Sequence, residues 1–516
     1  MSESQKQENR QENKTVLSAY IGVAGPETPK YLLANHFLTD FFQTLSEKKM
    51  PQISCDSFQK AGILNCEEDE EHKKQLEESF DRFFQRFSGV DAIKTNFKNK
   101  KFYFPLHPQM LQSGSFNLRH LLYNMLPNIE QEEKFRQFQT MVLEYLYEET
   151  AGVNYLLNEM CKKLFQGEYR KTPPLKDPEF VRLFEERQYR RLCKTFEEDL
   201  HCLLTHPFFR KLDFYKKYDY LATLLDSYVI QFIIKRNAVS RGTVQDYVLC
   251  QGSATSHLLS GGAFHRACVQ NYAELREVFP REMKQYYLLQ MEKETDEKGF
   301  VYVWEKREKI YVSKNRGAEK EEQGKLFLNF VNRVFHSRYK DAAESSLYQS
   351  AKRVFRILNE GEKYCFDKDK FVTFYIEVSR ARQGSALTKI SSTLPTCGKD
   401  IEFIFPNSRS RHKFFALSPT LLEFFVRLYL ARKDRTYAYL DNFLADLEER
   451  YGICTQKTEK MERILKKMRI KVPFQEFRQN EQALLENLDE INCLVRLSDS
   501  GYVITFPEEK GEFRLL

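Results

Sequence analysis

The sequence predicts a mainly α, multidomain protein with a small α+β part. Three observations predict it. Gly (20) and Pro (16) are sparse in 516 residues, which disfavours a chain of many tight turns and favours long helices. Apolar and aromatic residues recur at three- and four-residue spacing over long stretches, the pattern of helices with one buried face. The length exceeds one ordinary domain; at roughly 150 residues per domain it allows three to four. With 42 % hydrophobic and 30 % charged residues the chain can bury a core, which excludes global disorder.

Residues 1–14 are polar and read as a disordered tail, without the apolar centre of a signal peptide. A helical N-terminal domain is expected over 15–170. Its first stripe carries Tyr31, Leu32, His36, Phe37, Phe41 and Phe42, and a second helix is expected over 70–87. After Pro127 and Asn128 a long helix begins with Phe135, Phe138, Met141, Leu143 and Tyr145. Pro173 and Pro174 cannot sit inside a helix, so a new unit starts at Asp177. A helical bundle is expected over 177–245, with Phe180, Leu183, Leu192, Phe196, Leu200, Leu203, Leu221, Leu224, Val229 and Phe232 as its core.

The texture changes in an α+β middle domain over 246–400. A short strand over 247–250 precedes a Gly/Ser-rich loop, 252–262, and a helix from Phe264. Residues 300–304 and 310–312 alternate around a charged turn and read as a hairpin. A helical stretch over 326–358 and a strand over 371–378 follow. The last domain, 401–516, has the plainest punctuation. Ser418-Pro419 is a capping hydroxyl followed by proline at the first helical position. Leu421, Phe424, Phe425 and Leu428 then fall on one face. A second helix, with Leu440, Phe443, Leu444, Leu447 and Tyr451, stops at Gly452. A third over 458–468 turns Met461, Ile464, Leu465 and Met468 inward; a fourth over 475–490 turns in Phe477, Leu484 and Leu488. Strands over 493–497 and 502–506 flank the turn 498–501. Helices followed by a terminal hairpin give the order of a winged helix-turn-helix-like module, with Leu421, Phe425, Leu444, Leu447, Leu465 and Leu484 as its expected core.

No run approaches 18 consecutive apolar residues; the cluster 421–430 is interrupted by Glu423 and Arg427, so neither a membrane span nor a membrane partner is expected. Eleven cysteines, an odd number without short paired spacings, read as reduced thiols of a cytoplasmic protein. Neither G-x-x-x-x-G-K-[ST] nor G-x-G-x-x-G occurs, and no cofactor is expected. Four weaker arrangements were weighed against ordinary structural roles. The 252–262 loop has the glycines and serines of a phosphate cradle, but a strand-to-helix connection explains it as well. His265 and Cys268 have the spacing of a nucleophile pair but no orienting acid. Cys193, His201, Cys202 and His206 cannot converge on one metal from one helix. Glu377 lacks the Glu-x-Lys of a metal-dependent nuclease.

The basic features are stronger. Arg409, Arg411 and Lys413 form a cationic loop with His412. In 457–471 seven basic side chains, among them Lys460, Arg463, Lys466, Lys467 and Lys471, stand against Glu459 and Glu462. Lys460, Arg463 and Lys467 are expected on one face turned from Met461, Leu465 and Met468, an arrangement fit for DNA phosphates. The next helix has Glu476, Glu481, Glu486, Asp489 and Glu490 against Arg478 alone. That composition opposes entry into a phosphate-lined groove, so base-specific reading is not expected.

Val248-Leu-Cys-Gln-Gly-Ser253, Phe264-His-Arg-Ala-Cys-Val-Gln-Asn-Tyr272, Arg411-His-Lys-Phe-Phe-Ala-Leu-Ser-Pro419, and residues 444–453 with the terminal hairpin resemble the DptG family, accessory subunits of bacterial DNA-phosphorothioation-dependent restriction. The resemblance covers about half of the chain and includes no catalytic signature. It implies a non-catalytic partner of an ATPase and a helicase-like subunit that together act against unmodified invading DNA. The expectation is therefore a scaffold and DNA-contacting subunit of an anti-phage defence complex without catalytic residues. The alternatives are a metal-dependent nuclease subunit with an unrecognised acidic site and a winged-helix transcription regulator.

Overall fold

A computed structural model describes residues 33–34, 37–38, 41–42, 74, 118–147, 170–176, 178–212, 214–240, 247–254, 261–282, 300–305, 308–313, 386–406, 410, 412–497 and 501–507. Among these the chain is mainly helical, with a small sheet part. The helix expected over 70–87 (apart from Lys74), the stretch 326–358, the strand 371–378 and Glu377 lie outside the described residues. The chain divides into two compact units: Met1–Pro26 with Arg276–Thr393, and Glu27–Leu275 with Leu394–Leu516.

In the first unit β2 (Phe300–Glu305) and β3 (Glu308–Ser313) form the expected hairpin. They are antiparallel, with Val301 opposite Val312 and Val303 opposite Ile310.

The second unit begins with aromatic helices. Leu33, Ala34, Phe37, Leu38, Phe41 and Phe42 are helical and buried. α1 (Leu118–Met125) and α2 (Glu132–Tyr147) pack with them, and the Phe41 ring stacks on Phe135 at 5.5 Å. Residues 171–176 form the expected interruption around the two prolines. α3 (Pro178–Glu185), α4 (Arg187–Thr205), α5 (Pro207–Arg210) and α6 (Phe214–Ser240) follow. Of the expected stripe residues in this bundle only Leu192 is not fully buried.

β1 (Val248–Gln251) lies at the centre of a four-stranded sheet ordered β4-β5-β1-β7, where β4 is Ile404–Phe405, β5 Phe414–Ala416 and β7 Ile453–Cys454. β1 runs parallel to both neighbours, with Cys250 opposite Phe415 and Val248 opposite Ile453. The strand from the expected middle segment and those from the expected C-terminal segment thus share one sheet. α7 (Ala263–Arg276) follows β1, and α8 (Ala386–Asp400), which carries Pro395 inside it, precedes β4.

α9 (Pro419–Lys433) starts as its sequence predicts. The Ser418 hydroxyl accepts the Leu421 N–H at 3.1 Å, and Asp434 ends the helix in the left-handed region. Its residues 424–431 are buried without interruption, so α9 is a central element rather than an amphipathic one. β6 (Tyr437–Tyr439) leads into α10 (Leu440–Tyr451), which ends at Gly452 with φ +68°, the conformation that favours glycine. α11 (Glu459–Met468) and α12 (Phe474–Glu490) precede β8 (Leu494–Arg496) and β9 (Tyr502–Thr505). β6, β9 and β8 form a separate antiparallel sheet in that order.

All six residues expected as the core of the C-terminal module are buried. They do not form a self-contained core, however. Leu465 and Met461 pack with Leu249, Phe264, Ala267, Cys268, Cys454 and Phe477, so α11 and α12 rest on β1 and α7.

Candidate nucleic-acid interface

α11 is built to present one charged face. The Thr458 hydroxyl accepts the Met461 N–H at 3.3 Å and donates to Glu448 Oε2 at 2.6 Å, fixing the start of the helix. Glu459 and Glu462 occupy the first turn and Lys466 and Lys467 the last, the polarity that suits the helix dipole. Met461 and Leu465 are buried at i and i+4, which leaves Glu462, Arg463, Lys466 and Lys467 exposed. Arg469 ends the helix with φ +57°, and the chain then turns through Lys471, also exposed, to Pro473 and α12.

The structure separates the sequence-predicted cations into distinct groups. Arg409 and Arg411 lie outside the described residues. Lys413 is half-buried, and its ammonium donates to the Pro406 carbonyl at 2.9 Å. Lys460 does not share the free face with Arg463 and Lys467. Its Nζ lies 3.0 Å from Glu448 Oε1 and 5.3 Å from the centre of the Tyr247 ring. Partial burial, the largest single influence, lowers the Lys460 ammonium pKa, but the hydrogen bond to Glu448 together with the nearby Tyr247, Glu448 and Glu449 outweighs it and the net shift is upward. Arg463 stays on the outer face, 3.2 Å from Glu459 in an exposed i,i+4 pair of the kind that contributes little. Lys466, Lys467, Arg469 and Lys471 remain as an exposed cationic strip.

The neighbouring α12 faces the other way chemically. Glu481, Glu486, Asp489 and Glu490 are exposed, and its inner face carries Phe477, Asn480, Ala483, Leu484, Asn487 and Leu488. Two asparagines tie it across the ends of the parallel strands. Asn480 Nδ2 donates to the Thr455 carbonyl at 2.6 Å and its Oδ1 accepts the Gly252 N–H at 2.9 Å; Asn487 Nδ2 donates to the Gly252 and Leu417 carbonyls. A Cβ at Gly252 would stand 2.5 Å from the Asn480 carbonyl oxygen, so this approach requires glycine. Open parallel sheets usually bind ligands beyond these strand ends; here α12 crosses them.

One residue of the interface escapes a reading of the pattern. Phe474, the first residue of α12, is 60 % exposed. Lys457 Nζ lies 5.8 Å and the Arg478 guanidinium 5.2 Å from its ring centre. Most of the described aromatic residues are core, and Phe474 is hidden among them in the sequence. Its placement after Pro473 at a helix start, with basic residues on both sides, is the signal that marks it.

The weaker arrangements take structural roles among the described residues. Residues 255–260 of the 252–262 loop lie outside the described residues; at the start of α7, just after it, the Phe264 N–H donates to Glu476 Oε2 at 2.7 Å. His265 and Cys268 face different surroundings. The His265 ring meets Phe414 at 4.7 Å, and its Nδ1 lies 3.1 Å from Gln251 Nε2. Cys268 is buried in the core, and burial pushes its thiol pKa well up. Cys193 and Cys202 are both pushed up to about 12, chiefly by burial, and His206 Nδ1 accepts the Phe208 N–H at the start of α5. No group of three or more His, Cys, Asp or Glu side chains converges among the described residues.

A second charged cluster is internal. Asp199, fully buried on α4, accepts from the Tyr228 and Tyr451 hydroxyls at 2.6 Å each, from Arg432 at 3.0 Å and from Arg450 at 2.7 Å. Arg450 also reaches Glu198 at 2.9 Å, and Arg432 pairs with Asp446. Burial opposes both guanidinium charges, yet the surrounding acids and hydroxyls hold them more firmly protonated than usual. This junction joins α4, α6, α9 and α10 and engages both arginines with internal acids.

Comparison with protein families, with curated proteins and with solved structures finds no match to this chain.

Proposed function

We propose that this chain is a non-catalytic scaffold subunit that holds DNA by its backbone, within a cytoplasmic bacterial restriction complex directed against invading DNA. The observation that carries the DNA contact is the exposed strip Lys466, Lys467, Arg469 and Lys471 at the end of α11. These cations stand clear of the internal ion pairs that engage Lys460, Arg432 and Arg450. Phosphates are the natural ligand of such a strip, and contacts to them carry no sequence information. The exposed acids of α12 support the same reading, since they repel a duplex from the helix that would otherwise read bases.

Residues 401–516 are proposed as a winged-helix-like module. The strand order β6-β9-β8, with helices between the first and second of these strands, supports this connectivity. Partnership with an ATPase and a helicase-like subunit rests on the resemblance to the DptG family. The absence, among the described residues, of any helix long and apolar enough to cross a membrane accords with this setting.

The test is a titration of two unrelated labelled duplexes at two salt concentrations with the full chain. The expected result is similar affinity for both sequences and a steep loss with salt. Lys466→Glu combined with Lys467→Glu should lower affinity and reduce the salt slope by about two, one for each lost phosphate contact. Unchanged binding by the double variant would overturn the assignment of the strip.

A further inference from the structure

We infer that Phe474 is a stacking platform for an unpaired nucleobase, so that the interface takes a DNA segment with single-stranded character beside its backbone-bound stretch. This rests on the DNA-backbone reading above and adds the substrate class. Phe474 is 60 % exposed, although burying a phenylalanine in the core is the ordinary outcome. Its position is rigid. Pro473 restricts the backbone immediately before it, and Phe477 and Asn480, one and two turns later, are buried against the parallel sheet. The ring is thus held outward by an anchored helix start.

Its neighbours are cations. Lys457 and Arg478 lie over the ring within 6 Å of its centre, and Lys471, the last cation of the strip, is three residues before it. Lys457 also lies 5.9 Å from the centre of the Phe477 ring and pairs with Glu462 at 3.2 Å, an exposed pair that competes weakly for a phosphate. An exposed aromatic ring with cations held over it matches the two halves of a nucleotide: a base that displaces them stacks on the ring, and the phosphates on either side meet the displaced cations. A paired base inside a duplex has no free face to offer. Phe474 therefore discriminates strands that are open from strands that are closed, whereas Lys466 and Lys467 do not.

The experiment is fluorescence anisotropy with a labelled oligo(dT) and a duplex of equal length, using the full chain and its variants. Phe474→Ala should weaken oligo(dT) binding by at least about 10-fold, the scale of one lost base–aromatic stack, and change duplex binding by less than about 2-fold. Phe474→Trp should restore oligo(dT) binding and show indole quenching when oligo(dT) is added. Far-UV circular dichroism checks that the exposed substitution leaves the fold intact. If Phe474→Ala binds both DNAs like the parent, or weakens both equally, the stacking role is overturned. Should that happen while Lys466→Glu/Lys467→Glu still weakens duplex binding, the backbone reading stands alone. Failure of the parent to bind either DNA would overturn both.

Discussion

The Asp199 junction and the α11 strip are both rich in basic residues, and they differ in what each cation meets. At the junction Arg432 and Arg450 are turned inward onto a carboxylate that is fully buried and that also accepts two tyrosine hydroxyls. On the strip Lys466, Lys467, Arg469 and Lys471 face solvent. The difference teaches that a count of basic residues does not measure the charge available to a ligand. Lys460 makes the point within a single helix: it is one turn from Arg463 but is committed to Glu448 on α10.

The largest expected effect comes from breaking the junction. Asp199→Ala takes from two largely buried arginines their shared, fully buried partner, leaving Arg432 to Asp446 and Arg450 to Glu198, and should cost about 3 kcal/mol in denaturant unfolding of the full chain, the low end for breaking a buried ion pair. Tyr451→Phe removes two charge-assisted hydrogen bonds, the one donated to Asp199 and the longer one accepted from Arg432, while keeping the ring; it should cost about 1.5–3 kcal/mol in the same assay.

A pH titration sharpens the contrast further. Burial, and then the Asp199 charge, raise the hydroxyl pKa values of Tyr228 and Tyr451 well above the ordinary tyrosine value. Above about pH 10 the unfolded chain loses these protons and the folded chain keeps them. Their contribution to stability is therefore complete below that pH and declines as pH rises past it. Denaturation midpoints should fall between pH 9 and about pH 11, and Tyr228→Phe with Tyr451→Phe should flatten the fall. The smallest effect belongs to the strip: Lys466→Ala should change stability by less than about 0.5 kcal/mol, as exposed positions do. A loss as large as that of Tyr451→Phe would erase the distinction between the two regions.

Much of the helical architecture was legible because its signals are local. Ser418-Pro419 and Gly452 mark real helix ends, and the spacing of Met461 and Leu465 gives the inner face of α11. The mixed sheet was not legible. Only β1 was expected as a strand, over 247–250; β4 and β7 have two residues each and β5 three, too short for alternation. β6 and α8 were missed as well, the former for its brevity and the latter for its internal proline. At the site, helical spacing correctly turned Arg463, Lys466 and Lys467 outward. It misplaced Lys460 because Glu448 and Tyr247 come from other elements, and it passed over Phe474 because most aromatic residues among those described are core.

The central place of β1 has a consequence for synthesis. Its neighbours in the sheet are residues 414–416 and 453–454, which leave the ribosome long after it does. At about 5–20 residues per second, Val248 waits roughly 10–40 s for Ile453. During that interval the apolar face formed by Leu249, Phe264, Ala267 and Cys268 has none of its C-terminal cover. The nascent protein thus carries an open strand edge beside sticky surface through a fixed window of translation. A holding chaperone would act on it there, and slowing elongation between these codons would lengthen its exposure to aggregation.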